Sequence, residues 1–338
     1  MSGLPIQSLT KTALGVTVVR QNLTLFREQI FQDSPFDDSS AFQDDVHDQI
    51  LLSPLEREVV DSPEFQRLFR LGQLGFVDLV YHTANHTRGA HCIGTCGVSK
   101  RLIDGLNRNN AKFASLRRER RGDKTEILEI SKVERVLISL GALLHDLSHG
   151  PFSHDIEKKT HRYVSASKWI KVESHYGPFE KHDNYHTNPA LYVFLMDTRV
   201  SVLARILRCY SRDFYQLLAD EAHRYSHLSP FFALTQKWKT ADQEILPSLL
   251  FHLLVFEKTE EAARHEILVR TSFESESVVA WGLGPQDLRS ELHQAWYQPF
   301  RHDIIGNTLS ADLVDYLLRD LQRLGKSRNP DWKIRLLT

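Results

Sequence analysis

The segment Leu144-His145-Asp146-Leu147-Ser148-His149-Gly150-Pro151-Phe152-Ser153-His154 places an adjacent His-Asp pair and two further histidines within eleven residues, directly after an apolar helical run. Side by side, His145 and Asp146 offer one imidazole nitrogen and one carboxylate oxygen to a single divalent cation. Such a pair needs partners from elsewhere in the chain, and His91 and Asp312 are the candidates. Four such groups around one metal would make a water-activating, hydrolytic centre.

Helices must carry these groups. Between Lys132 and Leu147 the apolar residues Val133, Val136, Leu137, Leu140, Leu143 and Leu144 recur at helical spacing. This helix is expected to end at His145-Asp146, before Gly150-Pro151. Ser53-Pro54 and Ser62-Pro63 each read as an N-cap followed by proline at the first helical position, with Glu56 and Phe65 beginning the helical faces. Gly75 is expected to end the second of these helices. Residues 91–107 form a further amphipathic segment, and stretches around 189–219, 244–256, 287–296 and 309–324 also read as helices. Tyr316 lies one turn beyond Asp312 and Asp320 two turns, so the three can share a helix face. Strand signals are few, the best being Ile267 to Arg270 with Val278-Val279. The expected fold class is therefore all-α, mainly helical. The expected organisation is a peripheral segment over 1–45, one domain over 46–325 and a short tail over 326–338. Within the first segment, the acidic, turn-rich stretch from Asp33 to Asp45 reads as a loop.

Composition narrows the function classes. The chain has 338 residues, 41 % of them apolar, and a net charge of −1. That balance exerts no global pull toward nucleic acid or acidic membranes. The basic stretch Leu116 to Lys124 reads as a solvated connection between helices, with a phosphate or nucleic-acid contact through Arg117–Arg121 as the alternative. Nucleic acid is not an expected partner. The three cysteines, Cys92, Cys96 and Cys209, are too few and odd in number for a disulfide framework, and indicate a reducing compartment. Cys92 and Cys96 lie one turn apart, but no second Cys/His pair matches them, so they read as packed thiols rather than as a metal pair. No apolar run reaches the ~18 residues of a membrane span. The start shows no secretory pattern. A cytoplasmic location is expected, with the nucleus as the alternative.

The pattern His91 … His145-Asp146 … Asp312 resembles the signature of the HD-domain phosphohydrolases. The wider sequence looks like their deoxynucleotide triphosphohydrolase branch, to which the mammalian SAM- and HD-domain dNTPases belong. Four blocks in order carry the resemblance: Ser53–Gly75, Asn85–Gly94, Leu143–His154 and Ser310–Asp320. It implies a helical bundle with a metal site in a central cleft, held by His91, His145, Asp146 and Asp312. Mixed imidazole and carboxylate ligands suit Mn, Fe, Co, Ni or Zn, with Mg a further option. In such a site His154 would protonate the leaving oxygen or assist the nucleophile, with Glu157 orienting it. His149 and His182 could hold phosphate oxygens. Arg88 offers a fork suited to phosphate. The resemblance assigns phosphate contact to Arg88 and Tyr316 and sugar contact to Gln73 with Leu74; Asp320 joins this substrate-facing set. A homo-oligomer is also implied. His86, His161, His175 and His186 read as ordinary surface or loop histidines.

Three departures modify this expectation. Leu313 follows the last ligand where the triphosphohydrolases carry a phosphate-contacting lysine. The sequence ends at Thr338, before the helices that normally add basic contacts. Phe69 stands where the mammalian relatives place an arginine of a regulatory guanine-nucleotide pocket, although Asp61 and Gln66 remain. The water-activating site looks complete while the polyphosphate grip looks reduced. The expected activity is thus a metal-dependent nucleotide phosphohydrolase releasing phosphate from a nucleoside monophosphate, as in nucleoside-analogue synthesis of the cordycepin type. The alternatives are a dNTPase releasing tripolyphosphate, an inactive nucleotide-binding or scaffold protein, and a di-iron oxygenase with extra ligands from His149, His154 or His182.

Overall fold

A computed structural model describes residues 34–121, 129–152, 189–255, 291, 292 and 294–325. A hairpin of β1 (Ser40–Asp44) and β2 (Asp48–Leu52) opens the fold, paired antiparallel from Ser40 opposite Leu52 to Asp44 opposite Asp48. It is followed by α1 (Pro54–Asp61), α2 (Pro63–Gln66) with a 3-10 turn over Arg67–Arg70, and the long α3 (Arg88–Arg121). Next come α4 (Lys132–Leu144), α5 (Pro189–Met196), α6 (Val202–Ala222), α7 (Ser229–Thr235) and α8 (Ala241–Val255). The last described helices are α9 (Pro299–Ile305) and α10 (Ala311–Arg323). The fold is mainly helical, as expected. No helix among the described residues is long and apolar enough to cross a membrane.

Local chemistry explains the helix starts. The Ser53 hydroxyl accepts from the Glu56 amide, while the Glu56 carboxylate accepts from the Ser53 amide, and Pro54 occupies the first helical position. Ser62 caps α2 in the same way, through the Phe65 amide. Ser131 and Glu134 form a second reciprocal box at α4. Ser310 caps α10 through the Leu313 amide. In a tertiary counterpart, the Glu64 carboxylate of α2 accepts from Val202 and Leu203 at the start of α6.

The main core draws on every layer, from Ile50 and Leu55 through Ile93, Leu137 and Leu140 to Leu207, Leu249 and Ile305. The dominant packings are α6 on α8, α3 on α4, and α10 on α3. A smaller cluster of Val46, Val98, Ala311, Val314 and Leu318 seats α10 and the hairpin turn on α3. Cys92 and Cys96 are fully buried thiols in the main core.

Several expectations change. Residues 40–44 of the acidic stretch are a strand and not loop, because Asp44 and Asp45 are neutralised by partners distant in sequence. The second N-terminal helix ends at Arg70, not at Gly75, which sits beyond it with φ +56° in a turn. The basic stretch is helical as far as Arg121, so it is not a connection there. The strand expected over Ile267 to Arg270 and Val278-Val279 lies outside the described residues, as does the tail.

A buried clasp joins α4 to α9. Glu134 accepts from Arg301 Nε (3.1 Å) and Nη2 (2.7 Å), from the Ser131 amide, and lies 3.2 Å from His227 Nε2. Burial pushes the carboxyl up, yet His227, Arg301 and the Ser131 amide hold it down at about 2. A depressed carboxyl stabilises the fold above its ordinary value of 4.5, and that contribution is lost as pH falls through about 2. Glu134→Gln should therefore cost on the order of 3 kcal/mol at neutral pH and less as pH approaches 2. Urea unfolding of both proteins at pH 7 and pH 3 checks this; an equal deficit at both would contradict it.

Candidate metal centre and active site

The His-Asp pair sits where α4 stops. His145 is the C-cap, and its Nδ1–H donates to the Ala142 carbonyl at 2.7 Å. A carbonyl can only accept, so this bond places the proton on Nδ1 and turns Nε2 toward the cleft. The loop beyond is braced by Arg67, whose guanidinium donates to the Leu147 carbonyl and, at 2.7 Å, to the His149 carbonyl. Arg88 opens α3 and His91 lies in its first turn. Asp312 lies in the first turn of α10.

These three helices bring together His91 Nε2, His145 Nε2 and an Asp312 carboxylate oxygen, all within 4.8 Å of one another. Asp312 Oδ1 is 3.0 Å from His91 Nε2 and 3.6 Å from His145 Nε2. The two rings meet edge to face at 5.1 Å. Asp146 borders the group, with Oδ1 3.6 Å from His145 Nε2 and Oδ2 4.0 Å from His91 Nε2. It also pairs with Arg88 and lies 3.2 Å from His149 Nε2.

His91 Nε2 is buried and, despite its 3.0 Å approach to Asp312, is not aligned for a hydrogen bond. Its Nδ1 donates to Asp315 Oδ2 at 2.7 Å, so a lone pair on Nε2 can face a cation. Two imidazole nitrogens and one carboxylate converging on one point, with the Asp146 carboxylate at its border, fit a divalent metal with open positions.

The imidazole and carboxylate groups of the site are strongly coupled. Burial pulls the His91 imidazole down, but Asp312 and Asp315 more than offset it and hold it up at about 10. Burial pushes the Asp312 carboxyl up, yet His145 and His91 keep it well below the usual range. Asp146 behaves likewise, with Arg88 the strongest counterweight to burial. The Asp312 side chain is 34 % exposed while those of His91 and Asp146 are 1 % and 6 % exposed. The opening to solvent is therefore on the α10 side.

Among the substrate-facing candidates, Arg88 and His149 adjoin Asp146, and Tyr316 is half-buried on α10 one turn from Asp312. Gln73 and Leu74 lie between the 3-10 segments Arg67–Arg70 and Val77–Leu79, where the Gln73 amide donates to the His86 carbonyl at 3.0 Å. Asp320 faces His86, with Oδ1 2.9 Å from Nε2. His86 is thus a buried residue and not a surface one. His154, Glu157, His182, His161, His175 and His186 lie outside the described residues. Sequence reasoning missed His47, whose Nε2 donates to Asp315 Oδ1 at 2.7 Å, and the buried Arg319. Asp315 competes with Asp312 by spacing alone, but it bonds His91 from behind and leaves the cleft to Asp312.

Residues 88–194 match the HD-domain family. The matched segment includes His91, His145 and Asp146, while Asp312 reaches it from α10. Over 134 residues the sequence is 34 % identical to the deoxynucleoside triphosphate triphosphohydrolase SAMHD1 of Xenopus laevis, covering 40 % of this chain and 19 % of that protein. The human protein of the same name is 33 % identical over 118 residues, covering 35 % of this chain and 16 % of its own length. An uncharacterised Bacillus subtilis protein, YwfO, is 33 % identical over 125 residues, covering 37 % of this chain and 25 % of that protein. The likeness is thus to the HD domain, spanning a quarter or less of each of these relatives.

Proposed function

We propose that the protein is a metal-dependent phosphohydrolase of nucleotides, with a divalent cation held by His91, His145, Asp146 and Asp312. The observation that carries this reading is the convergence of two histidine nitrogens and a carboxylate oxygen within 4.8 Å, with Asp146 at its border. The cation would supply a water of lowered pKa and a counter-charge for the phosphate oxygens. The protein's own groups do the rest. Asp315 and the Ala142 carbonyl fix the two imidazole tautomers. Arg88, already beside Asp146, offers its fork to a phosphate oxygen on the same wall. Gln73, Leu74, Tyr316 and Asp320 form the sugar and phosphate side of the cleft, and His154 with Glu157 is the acid–base pair.

The product divides the two readings of substrate. Leu313, half-buried on α10 beside Asp312, provides no ammonium for a polyphosphate chain, which favours a nucleoside monophosphate. The relatives named as triphosphohydrolases favour a dNTP and tripolyphosphate release. A product assay on protein reconstituted with Mn, Co or Fe, offered AMP, 3′-AMP, dAMP, dGMP, ATP, dATP and dGTP, decides between them. Phosphate from monophosphates alone is the expected result. No product from any of them, with metal bound, would overturn the enzyme reading in favour of a binding protein. Leu313→Lys should raise kcat/KM for dATP or dGTP by about tenfold to a hundredfold, the value of one charge-assisted contact, and leave monophosphates near wild type. An unchanged ratio of triphosphate to monophosphate turnover would remove Leu313 from the argument.

A further inference from the structure

His91 is held from behind by a buried polar chain that ends in the β-hairpin. Asp315 accepts from His91 Nδ1 and from Arg319 Nε on Oδ2, at 2.7 and 3.0 Å. On Oδ1 it accepts from His47 Nε2 and Arg319 Nη2, at 2.7 and 2.8 Å. A carboxylate has about four lone-pair sites, and four donors fill them. The far edge of Arg319 donates to Asp44, from Nη1 to Oδ2 at 3.0 Å and from Nη2 to Oδ1 at 3.3 Å. Asp44 Oδ1 in turn accepts from the Val46 and His47 amides at 2.9 Å, which closes the hairpin turn and aims the His47 ring inward. Gly94 gives this chain its space, since a Cβ there would overlap the Asp315 carboxylate and the Arg319 guanidinium. Asp44, His47, His91, Asp315 and Arg319 are all buried.

The hairpin is already held by its ladder, by Ile50 and Leu52 in the main core and by Val46 in the smaller cluster, so its folding has no need of an imidazole bonded 268 positions away. We propose that His47 is a positioning residue for the metal ligand His91, and that the Asp44–His47 turn is part of the metal centre. This inference rests on the metal reading above. With His47 in place, both oxygens of Asp315 are committed and the carboxylate cannot rotate. Without it, Oδ1 loses one of its two donors, and Asp315 can swing and release His91 Nδ1. The net negative charge left by Asp44, Asp315 and Arg319 also raises the basicity of the ligand ring.

The test is Mn(II) affinity of the full chain, by equilibrium dialysis, for wild type, His47→Phe and His47→Gln, with circular dichroism and melting curves on each apo protein. His47→Phe keeps a ring of similar size without the N–H, and His47→Gln keeps an N–H donor. Mn(II) should bind about tenfold to a hundredfold more weakly to His47→Phe, and near wild type to His47→Gln. A lower melting temperature with unchanged Mn(II) affinity in His47→Phe would overturn the inference and make His47 purely structural. Equal weakening in both variants would also overturn it, since the donor would then not matter. If His47→Phe does not fold, Asp44→Asn at the other end of the chain gives the same reading: weaker Mn(II) binding is expected, and wild-type affinity would overturn the proposal. Wild-type protein that binds none of Mn, Co or Fe would bring down the metal reading itself, whereas wild-type binding with an unaffected His47→Phe sinks only this inference.

Discussion

Replacing His145 and Asp146 together by alanine should abolish stable metal binding and lower turnover by about three orders of magnitude or more, the scale of several kcal/mol of lost charge stabilisation. The two effects have separable structural costs. His145 caps α4 from the cleft side, and its side chain contributes to no apolar cluster. His145→Ala alone should therefore lose metal with little change in melting temperature. Asp146 is a buried partner of Arg88, so adding Asp146→Ala breaks a buried ion pair and lowers stability as well. Metal content by elemental analysis, turnover and melting curves on the single and double variants check all three points. Turnover retained by the folded double variant would sink the proposed centre.

Arg88→Ala should show a dependence on metal that a simple packing residue would not. Arg88 and Asp146 side chains are 3 % and 6 % exposed. Burial alone would push the Asp146 carboxyl up, and Arg88 is the strongest group opposing it. Removing the guanidinium leaves that carboxylate without its main counter-charge, which costs on the order of 3–5 kcal/mol in the metal-free protein. A bound cation returns positive charge to the same carboxylate. The stability gap between variant and wild type should therefore narrow in saturating Mn(II), while kcat/KM stays depressed by about a hundredfold, the usual loss for one oxyanion donor. An identical gap with and without metal would assign Arg88 to packing alone.

Much of the helical framework around this candidate centre was legible because its signals are local. The serine–proline starts at Ser53 and Ser62 are complete in four residues each, and the structure makes the expected hydrogen bonds. The apolar spacing of α4 and its stop before Gly150-Pro151 likewise depend on neighbours in sequence. What could not be read depends on pairing across the chain. Asp312 and Asp315 are three residues apart and chemically alike. Only the small side of α3 at Gly94, which admits Asp315 and Arg319, decides which of them reaches the cleft. The acidic run around Asp44 resembles a solvated loop until Arg319 and Arg323 are placed against it. His47 carries no local signal at all, since its carboxylate partner belongs to the last described helix.

The satellite cluster of Val46, Val98, Ala311, Val314 and Leu318 gives the metal a mechanical meaning. His91 and His145 ride on helices embedded in the main core, whereas Asp312 rides on α10, whose apolar seat on α3 is that separate, smaller set of side chains. A cation bound by all of them is a rivet across the seam between two unequal bodies of packing. Its binding energy would fall first on the weaker one, so metal occupancy would set how often α10 and the hairpin turn lift away together. Protein that has lost its metal would begin to fail along that seam, while α4, α6 and α8 remain folded.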